Sequence, residues 1–208
     1  MQFEIIDIFA RGDNQIKTLT YSYADIASLN PKLLNDSDRN RFHELGCEKR
    51  KAEFFFTRIL WQHFDAYQEI EYNENGKPQI KNGFLSISHS KNVVAISFGR
   101  RKYVGVDVEH YNPKIRRILQ KFSSKKEQKQ LEIIDDQVIT TIWSIKEAVY
   151  KMIGTPGLSF KNEMDVLQIG KKNIINVLIP NKGWTPFEFQ RLIYDDYLLT
   201  YCEIDSHL

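Results

Sequence analysis

The sequence predicts an α+β fold built from two similar fused halves, each an antiparallel sheet packed with helices. Three observations lead to that prediction. Short runs suited to strands cluster at residues 84–109 and again at 166–204. Helical patterns precede each cluster, at 35–64 and 113–153. No low-complexity linker divides residues 1–102 from 103–208, and the two stretches are alike in length and element type without a residue-level repeat.

Residues 3–9 alternate as a first strand. Asn35-Asp36-Ser37-Asp38 supplies helix N-caps, and the helical region runs through Phe42, Leu45, Phe54, Ile59 and Phe64, with Gly46 as an interruption. Extended runs at 69–72 and 78–81 flank Asn73-Glu74-Asn75-Gly76-Lys77, a hairpin-like turn. Strands follow at 84–88, 93–98 and 103–109. Residues 113–122 read as helix and loop, and Ser124-Lys125-Lys126-Glu127 is a capping box opening a helix to about 134. The strongest helix spans 140–153, stopped by Gly154 with Pro156 close behind. Strands at 166–169, 174–179, 187–193 and 197–204 close the chain.

Composition narrows the class. The 208 residues can enclose a sizeable core, and 42% hydrophobic with 27% charged residues is ordinary for a globular protein. A net charge of +2 gives no whole-molecule field for nucleic acid or membrane, so neither partner is expected. Cys47 and Cys202 have no metal-ligand spacing and read as reduced thiols. Glu4 and Asp7 interrupt the first apolar stretch, which argues against a signal peptide, and no run of apolar residues is long enough to span a bilayer. The expectation is a soluble cytoplasmic protein.

Four short segments carry chemistry. In Gly105-Val106-Asp107-Val108-Glu109 the period of a strand puts both carboxylates on one side and both valines on the other. Paired carboxylates repel unless a cation or a proton intervenes, and hard oxygen ligands suit Mg²⁺, with Mn²⁺ the alternative. Alone, Asp-x-Glu is more often two solvated acids on a strand edge. In Trp143-Ser144-Ile145-Lys146-Glu147-Ala148-Val149-Tyr150-Lys151, helical spacing aligns Trp143, Glu147 and Lys151, with Lys146 on the flank. Alone, this is a helix with a surface ion pair. Ser88-His89-Ser90 ends a strand, and Gly76-Lys77-Pro78 sits at the hairpin turn. Adjacent Ser and His cannot easily meet as nucleophile and base, so a hydrolase pair is not expected.

Together, in this order and spacing, the segments resemble the 4′-phosphopantetheinyl transferases, in particular the larger surfactin-synthetase-activating, pseudo-dimeric type. The motifs are Gly76 to Pro78, Ser88 to Ser90, Gly105 to Glu109, Phe122 to Glu127 and Trp143 to Gly154, within about residues 73–158. Two departures stand out: Ser86 where an Asn is common, and Gly154-Thr155-Pro156-Gly157-Leu158, one residue longer than the usual Gly-x-Gly-Leu.

The resemblance implies an active site at the interface of the halves, coenzyme A as co-substrate and a carrier-protein serine as acceptor. It implies Asp107, Glu109 and Glu147 as ligands of Mg²⁺. Asp107, Glu147 and Lys151 form the catalytic set, with Glu147 a candidate proton acceptor and Lys151 a cation for the phosphates. Ser88, His89 and Lys146 join Lys151 on the coenzyme, Lys77 and Pro78 line its adenine side, and Arg50 meets its 3′-phosphate. An acidic apo carrier, acyl or peptidyl, would dock near Lys114, Arg116, Arg117, Lys121 and Phe122, where seven basic residues between 114 and 129 face one acid, Glu127. Fused halves make a monomer sufficient. Two other readings remain open at this stage: a metal-dependent nuclease or phosphodiesterase, and a non-catalytic module binding coenzyme A or a carrier.

Overall fold

Alternation at the start of the chain produces a hairpin. In the computed structural model, which describes residues 2–11, 13–132 and 135–205, β1 (Phe3–Arg11) pairs antiparallel with β2 (Asn14–Tyr21). β2 was not among the expected strands, although Ile16, Thr18 and Leu19 are buried on it. α1 (Asp36–Glu44) starts where expected, with the Asn35 side chain accepting from the Asp38 N–H at 2.7 Å. The chain breaks around Gly46, and α2 (Glu48–Trp61) buries Phe55, Phe56, Leu60 and Trp61. β3 (Glu71–Tyr72) and β4 (Pro78–Gln79) form the short hairpin, and β5 (Phe84–Ser90), β6 (Val93–Gly99) and β7 (Lys102–His110) follow.

In the second half a 3₁₀ turn at Pro113–Ile118 leads into α3 (Leu119–Phe122) and α4 (Lys125–Gln130). The Ser124 hydroxyl caps α4 by accepting from the Glu127 N–H at 3.0 Å. Helix was expected on to 134, but α4 ends at Gln130, and residues 133 and 134 lie outside the described residues. α5 (Asp136–Ile153) begins a turn earlier than expected, because Asp135 accepts from the Val138 N–H at 2.8 Å. β8 (Met164–Gln168), β9 (Ile174–Ile179), β10 (Gly183–Glu188), β11 (Gln190–Ile193) and β12 (Tyr197–Asp205) complete the chain. The single strand expected at 187–193 is two strands. Phe189, almost fully buried, is the point where the chain leaves one sheet for another.

The result is α+β with antiparallel sheets, in the order β1-β2-β6-β5, β10-β9-β8 and β11-β12-β7. The second half thus holds two sheets where one was expected. α2 packs with the first sheet around Leu19, Phe56 and Ile96, and α5 packs with β8 and β9 around Ile142, Val166 and Val177. A third cluster joins Val93 and Ala95 of β6 to Val106 and Val108 of β7. Among the described residues no helix is long and apolar enough to cross a membrane.

The edges β5 and β7 face each other across a seam with no backbone ladder. The hydroxyls of Ser86, Ser88 and Ser90 accept the N–H groups of Val106, Val108 and His110 at 3.0, 3.3 and 3.2 Å. Each step advances both strands by two residues, so they run in the same direction. Serine side chains thereby satisfy an edge that would otherwise stay open.

Candidate active site

The seam sets the position of Asp107. Its side chain points across to β5, where the Ser88 hydroxyl donates to Oδ1 at 2.8 Å. Lys151, from the last turn of α5, brings Nζ to 2.7 Å from the same oxygen, 2.9 Å from Ser88 Oγ and 3.3 Å from the Val106 carbonyl. α5 can approach this closely because Gly105 has no side chain: a Cβ there would lie 1.9 Å from the Ala148 carbonyl oxygen. Asp107 is 3% exposed, and its Oδ2 is buried without a hydrogen-bond partner.

Glu109 lies two residues along β7 and accepts the Trp143 indole N–H at 2.9 Å. Burial first, then repulsion from Asp107 and Glu147, push its pKa up to about 7 against the Trp143 bond and Lys151. Burial, then Asp107, likewise raise Glu147, and Lys151 opposes them. Among the described residues no three His, Cys, Asp or Glu side chains converge as a metal centre. The donor set still suits a divalent cation chemically. It offers three hard carboxylates within mutual repulsion, one of them with an orphaned oxygen.

Residues 103–202 match the family model of the 4′-phosphopantetheinyl transferase superfamily. No curated protein matches the chain closely enough to serve as a relative. The superfamily match runs from β7 to β12, just under half the chain, and takes in Asp107, Glu109, Glu147 and Lys151. Arg50, Lys77, Pro78, Ser88 and His89 lie outside it.

Four of the expected coenzyme residues, Arg50, His89, Lys77 and Pro78, divide between two clefts. A cleft of about 790 Å³ is lined by Arg50, His89, Lys91, Glu109, Lys114 and Trp143. His89 stands with Nδ1 3.5 Å from Glu53 Oε1, and its pKa is lowered by burial, with Glu53 opposing and Lys151 and Lys49 contributing. A second cleft of about 1060 Å³ holds Lys77 and Pro78 with Tyr103, Val104, Met152 and Gly154. There Lys77 Nζ reaches the Met152 carbonyl at 3.4 Å, and burial lowers its pKa. Gly154, at φ 70°, caps α5 and leaves room for that ammonium, which a Cβ would meet at 2.4 Å. β7 passes from the second cleft at Val104 to the first at Glu109, with Asp107 between them.

Three expectations are corrected. Lys146 does not reach a phosphate: its ammonium is 0% exposed and bonded to Glu127 and three backbone carbonyls. Ser88 is not turned to a coenzyme either, since its buried hydroxyl is spent on Asp107, Lys151 and the Val108 N–H. Phe122, expected on the docking face, is 1% exposed and packs on Trp143. The basic residues of that face are as expected at the surface. Lys114, Arg117, Lys121 and Lys125 are exposed, Arg116 pairs with Asp136, and Ile115 and Ile118 border the Glu109 cleft. The sequence reading missed the partnership of Trp143 with Glu109 and the serine seam, for which the alternation Ser86-x-Ser88-x-Ser90 was the available signal.

Proposed function

We propose that this chain transfers the 4′-phosphopantetheine arm of coenzyme A to a serine of an acyl or peptidyl carrier protein, releasing 3′,5′-ADP, in a Mg²⁺-dependent reaction in the cytoplasm. The observation that carries this reading is buried Asp107 held by Ser88 and Lys151 with Glu109 and Glu147 beside it, the three acids and Lys151 falling inside the superfamily match. In the reaction the serine hydroxyl oxygen forms a bond to the β-phosphorus of coenzyme A, the bond from that phosphorus to the bridging oxygen breaks, and 3′,5′-ADP leaves with the electron pair.

Asp107, Glu109 and Glu147 would hold Mg²⁺. Bound there, the ion supplies Lewis-acid neutralisation of pyrophosphate charge. Lys151 adds a point charge for a phosphate oxygen. Glu147 would also be the proton acceptor for the serine hydroxyl. His89, kept neutral by its surroundings, offers a ring N–H to phosphate, and Arg50 shares its cleft as a cation for the 3′-phosphate. Lys77 and Pro78 would line the adenine side. The exposed face from Lys114 to Lys125 would receive an acidic carrier next to the Glu109 cleft. We take residues 1–102 and 103–208 as the two units of a monomer, joined by the serine seam.

Release of 3′,5′-ADP from coenzyme A tests the reading. Release that requires both an apo carrier and Mg²⁺ is expected. Release with water as acceptor would turn the assignment to a phosphodiesterase, and tight coenzyme A binding with no release under any condition would turn it to a binding module.

A further inference from the structure

Lys146 is a charged side chain with no exposed surface. A lysine gives up water only where its protons are matched by acceptors. Here its ammonium meets the carbonyls of Phe122 at 2.9 Å, Phe160 at 2.9 Å and Met164 at 3.0 Å, and the Glu127 carboxylate at 2.8 Å. These acceptors come from α3, α4 and the segment entering β8, so one residue of α5 ties three separate pieces of chain together. Glu127 extends the tie by accepting from the Val166 N–H at 2.7 Å and the Ser123 hydroxyl at 2.5 Å. Two of the four acceptor residues have a second part to play. The rings of Phe122 and Phe160 pack on Trp143, with centroids at 5.1 and 5.6 Å, and Trp143 donates to Glu109.

We propose that Lys146 is a positioning residue: by fixing the backbones of Phe122 and Phe160 it holds the aromatic frame around Trp143 and, through the indole N–H, the Glu109 carboxylate. The significance of Glu109 rests on the proposed function. The geometry of the frame does not. The same bonds anchor α3 and α4, whose outer faces carry Lys121 and Lys125. Lys146 therefore acts on the transfer reaction from inside the molecule, without touching a substrate.

The three tryptophans make this testable by the NMR resonances of their indole N–H groups. Trp61 donates to the Gln68 carbonyl at 2.7 Å in the other half and serves as an internal control. Trp184, 51% exposed, gives the solvent-facing reference, and W143F identifies the remaining signal. K146M alone leaves the buried Glu127 carboxylate unmatched and lowers the melting temperature. The pair K146M/E127Q removes both charges. In that pair the Trp143 resonance is expected to move toward the position of Trp184 and to exchange faster, with Trp61 unchanged. The Mg²⁺ concentration for half-maximal transfer is expected to rise about tenfold, with the KM for coenzyme A unchanged. F160A, which keeps the carbonyl and removes a ring, is expected to move the same resonance. An unmoved Trp143 signal in a folded K146M/E127Q or F160A protein overturns the proposal. If the parent protein labels no carrier, the functional reading falls, while the indole signal still decides the role of Lys146.

Discussion

Glu109 and Lys151 are matched opposites at the residue scale. Between the ordinary carboxylate value of 4.5 and about 7, folded Glu109 keeps a proton that the unfolded chain has released. The folded state therefore binds more protons in that window, and Glu109 lowers stability as pH rises through it. In EDTA, E109Q is expected to melt with the parent near the lower bound and above it beyond pH 7. A constant difference at all pH values would contradict the burial of this acid. Lys151 has the reverse effect: K151M strips buried Asp107 of its counter-charge and is expected to lower the melting temperature in EDTA, with Mg²⁺ restoring more of it than in the parent. A variant that melts like the parent, with or without Mg²⁺, would show that the ion pair is not formed in solution. The proximity of Asp107, Glu109 and Lys151 was legible in part, because the strand period puts both acids on one side of β7 and the helix period puts Lys151 on the stripe of Glu147. Lys146 and Ser88 were not. Neighbouring residues on a helix point about 100° apart, so the sequence alone does not say which of Lys146 and Glu147 turns inward. The burial of Ser88 depends on a strand pairing through side chains, whose one sequence signal, the alternating serines, does not name the strand they face.

At the scale of elements, the site depends on how closely α5 lies on β7. Gly105 permits that contact, so G105A must push the helix away from the strand by more than a side-chain adjustment. Overpacking of this kind costs about 1–3 kcal/mol. Thermal melts should show a matching loss, and transfer should fall further than stability, because Glu147 and Lys151 move with the helix. An active, fully stable G105A would refute the role of the contact. The α3–α4 face supplies a separate test. R117E/K121E is expected to raise the KM for carrier at least tenfold and to leave that for coenzyme A within twofold, about 1.4 kcal/mol of carrier recognition. Equal loss of both would misplace the docking face. Of the elements, α5 was legible to within a turn from its apolar pattern and its glycine stop, and the turn that was missed is the one Asp135 caps. β2 went unread because its apolar residues do not alternate, Ile16 and Leu19 lying three apart on opposite faces, and the division of β10 from β11 is hidden because Phe189 continues the apolar pattern through the corner.

For the whole molecule, two cores are joined by a third apolar cluster of β6 and β7 and by the serine seam, with Asp107 on that seam between two clefts and Glu109 lining one of them. On the proposed function, coenzyme A would lie across this seam. The α+β class was legible from element order. The arrangement of the three larger sheets was not, because strand pairing is long-range and the seam uses hydroxyls in place of a backbone ladder. The net charge of +2 makes the basic face a local feature, so salt should weaken carrier recognition without a general loss of coenzyme A affinity. The most direct test of the account is the intact mass of an acidic apo carrier after incubation with coenzyme A, Mg²⁺ and either the parent protein or folded D107A. A gain of one phosphopantetheine with the parent, absent with D107A and absent in EDTA, is the predicted result. The same gain with D107A, or with EDTA present, would contradict it.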